Sequence, residues 1–236
     1  MGGEGWSGGA GRPGASEPVF NLPTVVTAMV AILVAVAVGR MMLSPSADDL
    51  LVLTFAFVPD RYVLDGGAPV WPGGYGAMAW TFLTHALLHE GWAHLGFNAA
   101  MLAALGKGIH ARIGGARLIG LLAFATIGGA LGHLAVNWGS PAAMLGASGG
   151  VSGLLGALLR FVFRPNWMPA ASIGEALGES RVRGVIVALV VMNVALVALG
   201  TAPFGGGGGN IAWGAHLGGF LAGFLGFSAF DRSMRR

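Results

Sequence analysis

Six stretches of mostly apolar residues, at about 22–43, 81–106, 116–137, 144–163, 184–200 and 211–230, alternate with shorter polar segments. Each is close to the ~20 residues a helix needs to cross ~30 Å of hydrocarbon. The pattern therefore predicts an all-α, polytopic membrane protein with six spans over residues 21–231. Residues 1–20 are rich in Gly, Ser and Pro and poor in aliphatic side chains, so they bury too little surface to offset the entropy of ordering and are expected to form a flexible tail. A short basic tail follows at 232–236. The first run has a polar segment before it that carries Arg12 alone, which fits a retained span better than a cleaved secretory signal.

Composition agrees. Only 10% of the residues are charged and 55% are hydrophobic, against ~25% charged in soluble proteins, and mean hydropathy is +0.73. The 43 glycines follow no collagen-like period and find a use in close helix packing within lipid. Absence of cysteine excludes disulfides and thiolate chemistry. The basic pI near 10.2 does not imply a nucleic-acid partner, because the cations fall between apolar runs instead of forming a stripe. They report topology instead. With the N-terminus inside, Arg12, Lys107, Arg112, Arg117, Arg160, Arg164, Arg181, Arg183, Arg232, Arg235 and Arg236 lie on the cytoplasmic side, against Arg40 and Arg61 outside. Cytoplasmic loops carry the cationic excess, so a multi-pass protein of the cell membrane with both termini cytoplasmic is expected. The large loop at 44–80 then lies outside, and its mixture of apolar and acidic residues suggests short interfacial helices. No internal repeat points to an inverted-repeat transporter.

Ionisable groups inside spans are costly and mark candidate functional sites. The second run carries His85, His89, His94 and Asn98, the sixth carries His216, and the fourth opens with Gly146-Ala147-Ser148-Gly149. A Gly-x-Ser-Gly pattern is weak by itself, since Gly5-Trp6-Ser7-Gly8 repeats it in the tail. Depth separates the two. Measured up from Lys107, Arg164 and Asp231 at ~1.5 Å per residue, His94, Ser148 and His216 all stand about 20–24 Å above the inner ends of their spans. That level is shallow enough for a water-filled cavity.

A serine hydroxyl needs a neighbouring base, and His216 has the right chemistry to take the proton from Ser148. No Asp or Glu falls at that depth on the fourth or sixth run, so a Ser–His dyad is expected. His94 and Asn98, at i and i+4 on one helical face, are candidates to hold an oxyanion beside the Ser148 backbone N–H, with Gly146 shaping the loop. Gly149 and Gly153 on the fourth run, and Gly219 and Gly223 on the sixth, would let those helices approach closely. His85 and His89 are candidates for retaining water, for support or for direct catalytic help, whereas His133 is read as structural. Glu90 is read as a solvated residue near the outer interface, and Gly205–Gly209 as a flexible loop beside the sixth span. His89-Glu90-Gly91-Trp92-Ala93-His94 has the look of a zinc motif. Its histidines are five apart instead of four, about 140° round a helix, so neither metal nor other cofactor is expected.

These residues resemble the rhomboid family of intramembrane proteases. Thr84-His85-Ala86-Leu87-Leu88-His89 with His94 and Asn98 resembles its second span, Gly146-Ala147-Ser148-Gly149 its nucleophile motif, and Ala215-His216-Leu217-Gly218-Gly219 its histidine motif. The likeness runs through residues 20–230 in the family's order. It implies a six-span rhomboid-like bundle in which Ser148 attacks, His216 shuttles the proton, and His94 and Asn98 help hold the oxyanion. The implied partner is another membrane protein's transmembrane segment, cut near its outer end. Trp80 matches the Trp of an outer-loop Trp-Arg pair, but Thr81 replaces the Arg; Ser152 stands where an aromatic usually stacks on the histidine. A catalytically silent, client-binding member of the family is the competing reading, although such a protein is expected to lack the nucleophile or the base.

Overall fold

The computed structural model describes residues 22–64, 71–165, 167–199 and 213–231. The regular elements there are helices: α1 (Thr24–Met41), α2 (Pro45–Phe55), α3 (Gly74–Thr84), α4 (Gly91–Ile113), α5 (Gly115–Val136), α6 (Ser148–Leu159), α7 (Ile173–Gly178), α8 (Ser180–Leu199) and α9 (Trp213–Gly226), with 3-10 turns at Pro59–Tyr62, His85–Leu87 and Phe227–Ala229. The expected tails at 1–20 and 232–236 and the Gly205–Gly209 loop lie outside the described residues.

The second apolar run departs from expectation, because it is not one helix. α3 ends at Thr84, His85 sits in a 3-10 turn, and α4 begins at Gly91 and continues to Ile113. Gly91 adopts φ +81, a left-handed conformation that a right-handed helix cannot pass through. Gly114, at φ +79, separates α4 from α5 in the same way.

Of the described helices, α1 (mean hydropathy 2.1) and α5 (1.8) are long and apolar enough to cross a membrane by length and composition alone. The fourth run yields a helix of 12 residues and the sixth one of 14. The fourth ends at Arg160, which is buried and anchored: its guanidinium donates to the carbonyls of Ala171 (2.7 Å) and Phe224 (2.5 Å) and to the Ser228 hydroxyl (2.9 Å). Close by, Arg112 pairs with the buried Asp231 at 2.7 Å.

Glycine sets the spacing of α5, α6 and α9. A Cβ at Gly219 would overlap the Gly149 carbonyl, and one at Gly223 the Gly153 carbonyl. The α5–α9 seam works alike, with Gly218 against the Gly128 carbonyl and Gly132 against that of Gly214. Backbones this close maximise van der Waals contact where hydrophobic association offers little. α1 and α4 join the body through aliphatic packing, including Val26, Leu33, Leu102 and Leu105. The lower part of α8 packs Val182, Val185, Ile186 and Leu189 around Phe220 and Phe224.

The segment from α2 to α3 is braced without an arginine at position 81. Buried Arg61 donates to the carbonyls of Leu53 (2.6 Å) and Pro72 (2.7 Å), and burial pushes its pKa down. The Thr81 hydroxyl donates to Ala77 O (2.6 Å) and lies 3.2 Å from the Tyr62 hydroxyl, while Trp80 Nε1 donates to Thr54 O. Phe57 then forms an antiparallel bridge with Met144 through bonds of 3.0 and 2.8 Å. That bridge ties the segment to the strand of chain leading into Ser148.

Candidate active site

Ser148 opens α6, so its amide is one of the first-turn N–H groups that have no intrahelical acceptor. The turn before it depends on Gly146, whose φ of +119 suits glycine alone and whose Cβ, if present, would lie 2.7 Å from His94 Cε1. Two backbone amides of this turn are held from the 85–90 link. Gly146 N–H donates to His85 O at 2.9 Å, and Ala147 N–H to His89 Nε2 at 3.4 Å. His89 is held in turn by Arg40, which donates to its carbonyl (2.9 Å) and to both carboxylate oxygens of Asp48 (2.7 and 2.9 Å). The hydrogen bond from Arg40 keeps the Asp48 carboxyl below the usual carboxylate range. His85 Nδ1 lies 2.8 Å from Thr81 O.

On the other side of the turn, α9 brings His216 to Ser148. Its Nε2 lies 3.0 Å from Ser148 Oγ. The glycine seam permits this distance: Gly219, about one turn beyond the imidazole, packs on Gly149, the residue after the serine. Nδ1 of His216 lies 2.8 Å from Asn193 Oδ1 on α8, and Asn193 Nδ2 donates to Leu189 O at 2.8 Å. Among the described residues no aromatic ring stacks on His216.

His94 and Asn98 share a face of α4. The His94 ring packs against Gly146 and meets the His89 ring edge to face, with centroids 5.1 Å apart. Asn98 is buried; its Nδ2 donates to His94 O at 3.0 Å, and its Oδ1 has no partner. No hydrogen bond joins either side chain to Ser148 among the described residues. The structure thus brings Ser148, His216, Gly146, Gly149 and Gly219 together with the His94 ring beside them, and leaves Asn98 bonded to its own helix. Gly153 and Gly223 continue the same seam one turn further in. His133 lies next to Asn137 and the Phe57 ring.

The expectation that His89 and His94 point away from each other around one helix needs correction. His89 precedes α4, so helical spacing does not apply, and the two rings touch. Nε2 of His89 is occupied by the Ala147 amide, and among the described residues no group of three or more His, Asp or Glu converges as a metal-ligand set.

Asn193 was missed by sequence reasoning. The signal was present, since Asn193 is the one polar residue in the otherwise apolar stretch Val185–Leu199, and polar groups inside apolar spans tend to carry function.

A model of the Rhomboid domain matches residues 76–230, which include Ser148 and His216. Rhomboid protease GluP of Bacillus subtilis (strain 168) is 30% identical over 150 residues, covering 64% of this chain and 26% of that protein. RHOMBOID-like protein 5 of Arabidopsis thaliana is 30% identical over 149 residues, covering 63% of this chain and 43% of the relative. The chain therefore spans less than half the length of either relative.

Proposed function

The chain belongs to the rhomboid family, and on that premise we propose that it is an intramembrane serine endopeptidase that cleaves transmembrane segments of other membrane proteins. The observation that carries this reading is the 3.0 Å approach of His216 Nε2 to Ser148 Oγ, within the reach a general base needs. In the proposed reaction His216 accepts the hydroxyl proton as Oγ bonds to the scissile carbonyl carbon. The tetrahedral oxyanion is held by the Ser148 amide at the α6 N-terminus, with His94 and Asn98 contributing once substrate is bound. Collapse breaks the C–N bond, His216 passes its proton to the leaving amine, and water then hydrolyses the acyl ester by the same route in reverse.

We read α1, α4, α5, α6, α8 and α9 as the six spans, with both termini cytoplasmic and the α2–α3 segment outside. The distribution of side chains supports immersion in lipid, and the excess of Arg and Lys between the runs supports the orientation. Glycines line the inner seams, whereas large apolar side chains such as Ile32, Ile119, Leu131, Val187, Val191 and Leu225 face outward, as suits a lipid surround. The test uses purified protein in bilayers with a generic transmembrane substrate. Cleavage by wild type and its loss in Ser148→Ala and His216→Ala is expected. Cleavage that survives Ser148→Ala overturns the assignment, and client binding without any cleavage by wild type identifies a silent member of the family instead.

A further inference from the structure

We propose that Asn193 is a positioning residue that fixes the tautomer and orientation of His216 through its side-chain oxygen. The inference rests on the reading of Ser148 and His216 as the reacting pair. An amide side chain has an acceptor end and a donor end, and its assignment follows from what each end meets. The Leu189 carbonyl, 2.8 Å from Asn193, can only accept, so the NH2 group must face it. Turning the amide round would set two oxygens against each other. Oδ1 is therefore the atom left facing His216 Nδ1 at 2.8 Å, and that distance requires the imidazole proton to sit on Nδ1. In neutral histidine the remaining nitrogen is then a bare acceptor. That nitrogen is Nε2, 3.0 Å from Ser148 Oγ, in the only protonation state from which it can take the serine proton.

One backbone carbonyl on α8 thus determines, through two hydrogen bonds, which nitrogen of an α9 side chain is basic. The same bond gains strength when His216 becomes a cation, because an ionised donor makes the shorter and stronger hydrogen bond. The group is uncharged, so it orients the base without placing an anion inside the bundle, where ions are costly. Without an acceptor at Nδ1 the proton is free to move to Nε2, which disarms the base.

Two variants separate orientation from packing. Asn193→Leu keeps the volume and removes the acceptor; Asn193→Asp keeps an oxygen at the same place. The expected result is a kcat lowered between about 10- and 10⁴-fold in Asn193→Leu, with KM little changed, and kcat restored to within about 10-fold in Asn193→Asp. Independently of cleavage, 15N-histidine NMR of the full chain in bilayers, with the His216 signal assigned by its loss in His216→Ala, should show Nδ1–H in wild type and Nε2–H gaining population in Asn193→Leu. A wild-type tautomer in Asn193→Leu, wild-type kcat in that variant, or equal loss in both variants with the His216 tautomer unchanged overturns the proposal. Should wild type prove inactive, the enzymatic reading falls and the NMR signature alone decides the role of Asn193.

Discussion

Gly219→Ala places a methyl group where α9 meets α6 most closely. Its Cβ would lie 2.7 Å from the Gly149 carbonyl carbon and 3.2 Å from the Gly149 Cα, whereas non-bonded carbons rest ~3.5–4.0 Å apart. The obstacle is backbone on both sides, so no rotamer change relieves it, and the helices must part by about 1 Å at this level. Gly149 adjoins Ser148 and Gly219 lies three residues beyond His216. The 3.0 Å contact of the dyad would open to about 4 Å, outside hydrogen-bond range. Overpacking of this kind costs ~1–3 kcal/mol, and a 1 Å misplacement of catalytic groups can cost ~100-fold in rate. The measurement is kcat/KM on a transmembrane substrate together with thermal unfolding in micelles. Gly184→Ala is the control, since nothing lies within 4 Å of its Cβ position. Activity within a few-fold of wild type in Gly219→Ala would refute the claim that the glycine seam sets the dyad distance.

Other perturbations follow from the same geometry. Gly146→Ala forces a side chain into φ +119 and against the His94 ring, so it should destabilise by ~1–3 kcal/mol and depress cleavage far more than Gly184→Ala does in the same assay. Arg160→Met removes three hydrogen bonds of a buried guanidinium and leaves their acceptors unpaired; breaking such a buried charged network costs ~3–5 kcal/mol, so unfolding in denaturant should show a loss of at least about 3 kcal/mol. Glu175 is held down to about 2 by the Ser172 backbone amide and then by Arg164. Its folded pKa thus lies below the ordinary ~4.3, so the stabilisation is complete above that value and disappears as pH falls toward about 2. Glu175→Gln should flatten the pH dependence of the melting temperature within that window.

The hydrophobic pattern located most helices because apolar runs bounded by polar residues leave the chain little choice within lipid, and α5 and α8 follow their runs closely. It failed at 85–91, where an apolar run conceals a helix break made by a 3-10 turn at His85–Leu87, extended backbone at Leu88 and the left-handed Gly91. Periodicity registers hydrophobicity and is blind to φ, so His85 and His89 were assigned to a helix they do not join. The pairing of Ser148 with His216, 3.0 Å apart in the structure, was legible because two polar groups shared one depth on separate segments. Asn193 was not, since a depth argument built on ionisable groups passes over an uncharged amide, and its role depends on which α9 residue it faces. The bracing by Arg61 was equally hidden, because its acceptors are the carbonyls of Leu53 and Pro72, which no side-chain pattern records.

The central claim is that Ser148 is made nucleophilic by His216. A fluorophosphonate probe tests it directly, because phosphonylation requires an activated hydroxyl and no substrate. Incubated with the full chain in bilayers and read by peptide mass spectrometry, the probe should label Ser148 alone, and His216→Ala should slow that labelling at least about 100-fold. Labelling spread over other serines, or undiminished at Ser148 in His216→Ala, would contradict the account.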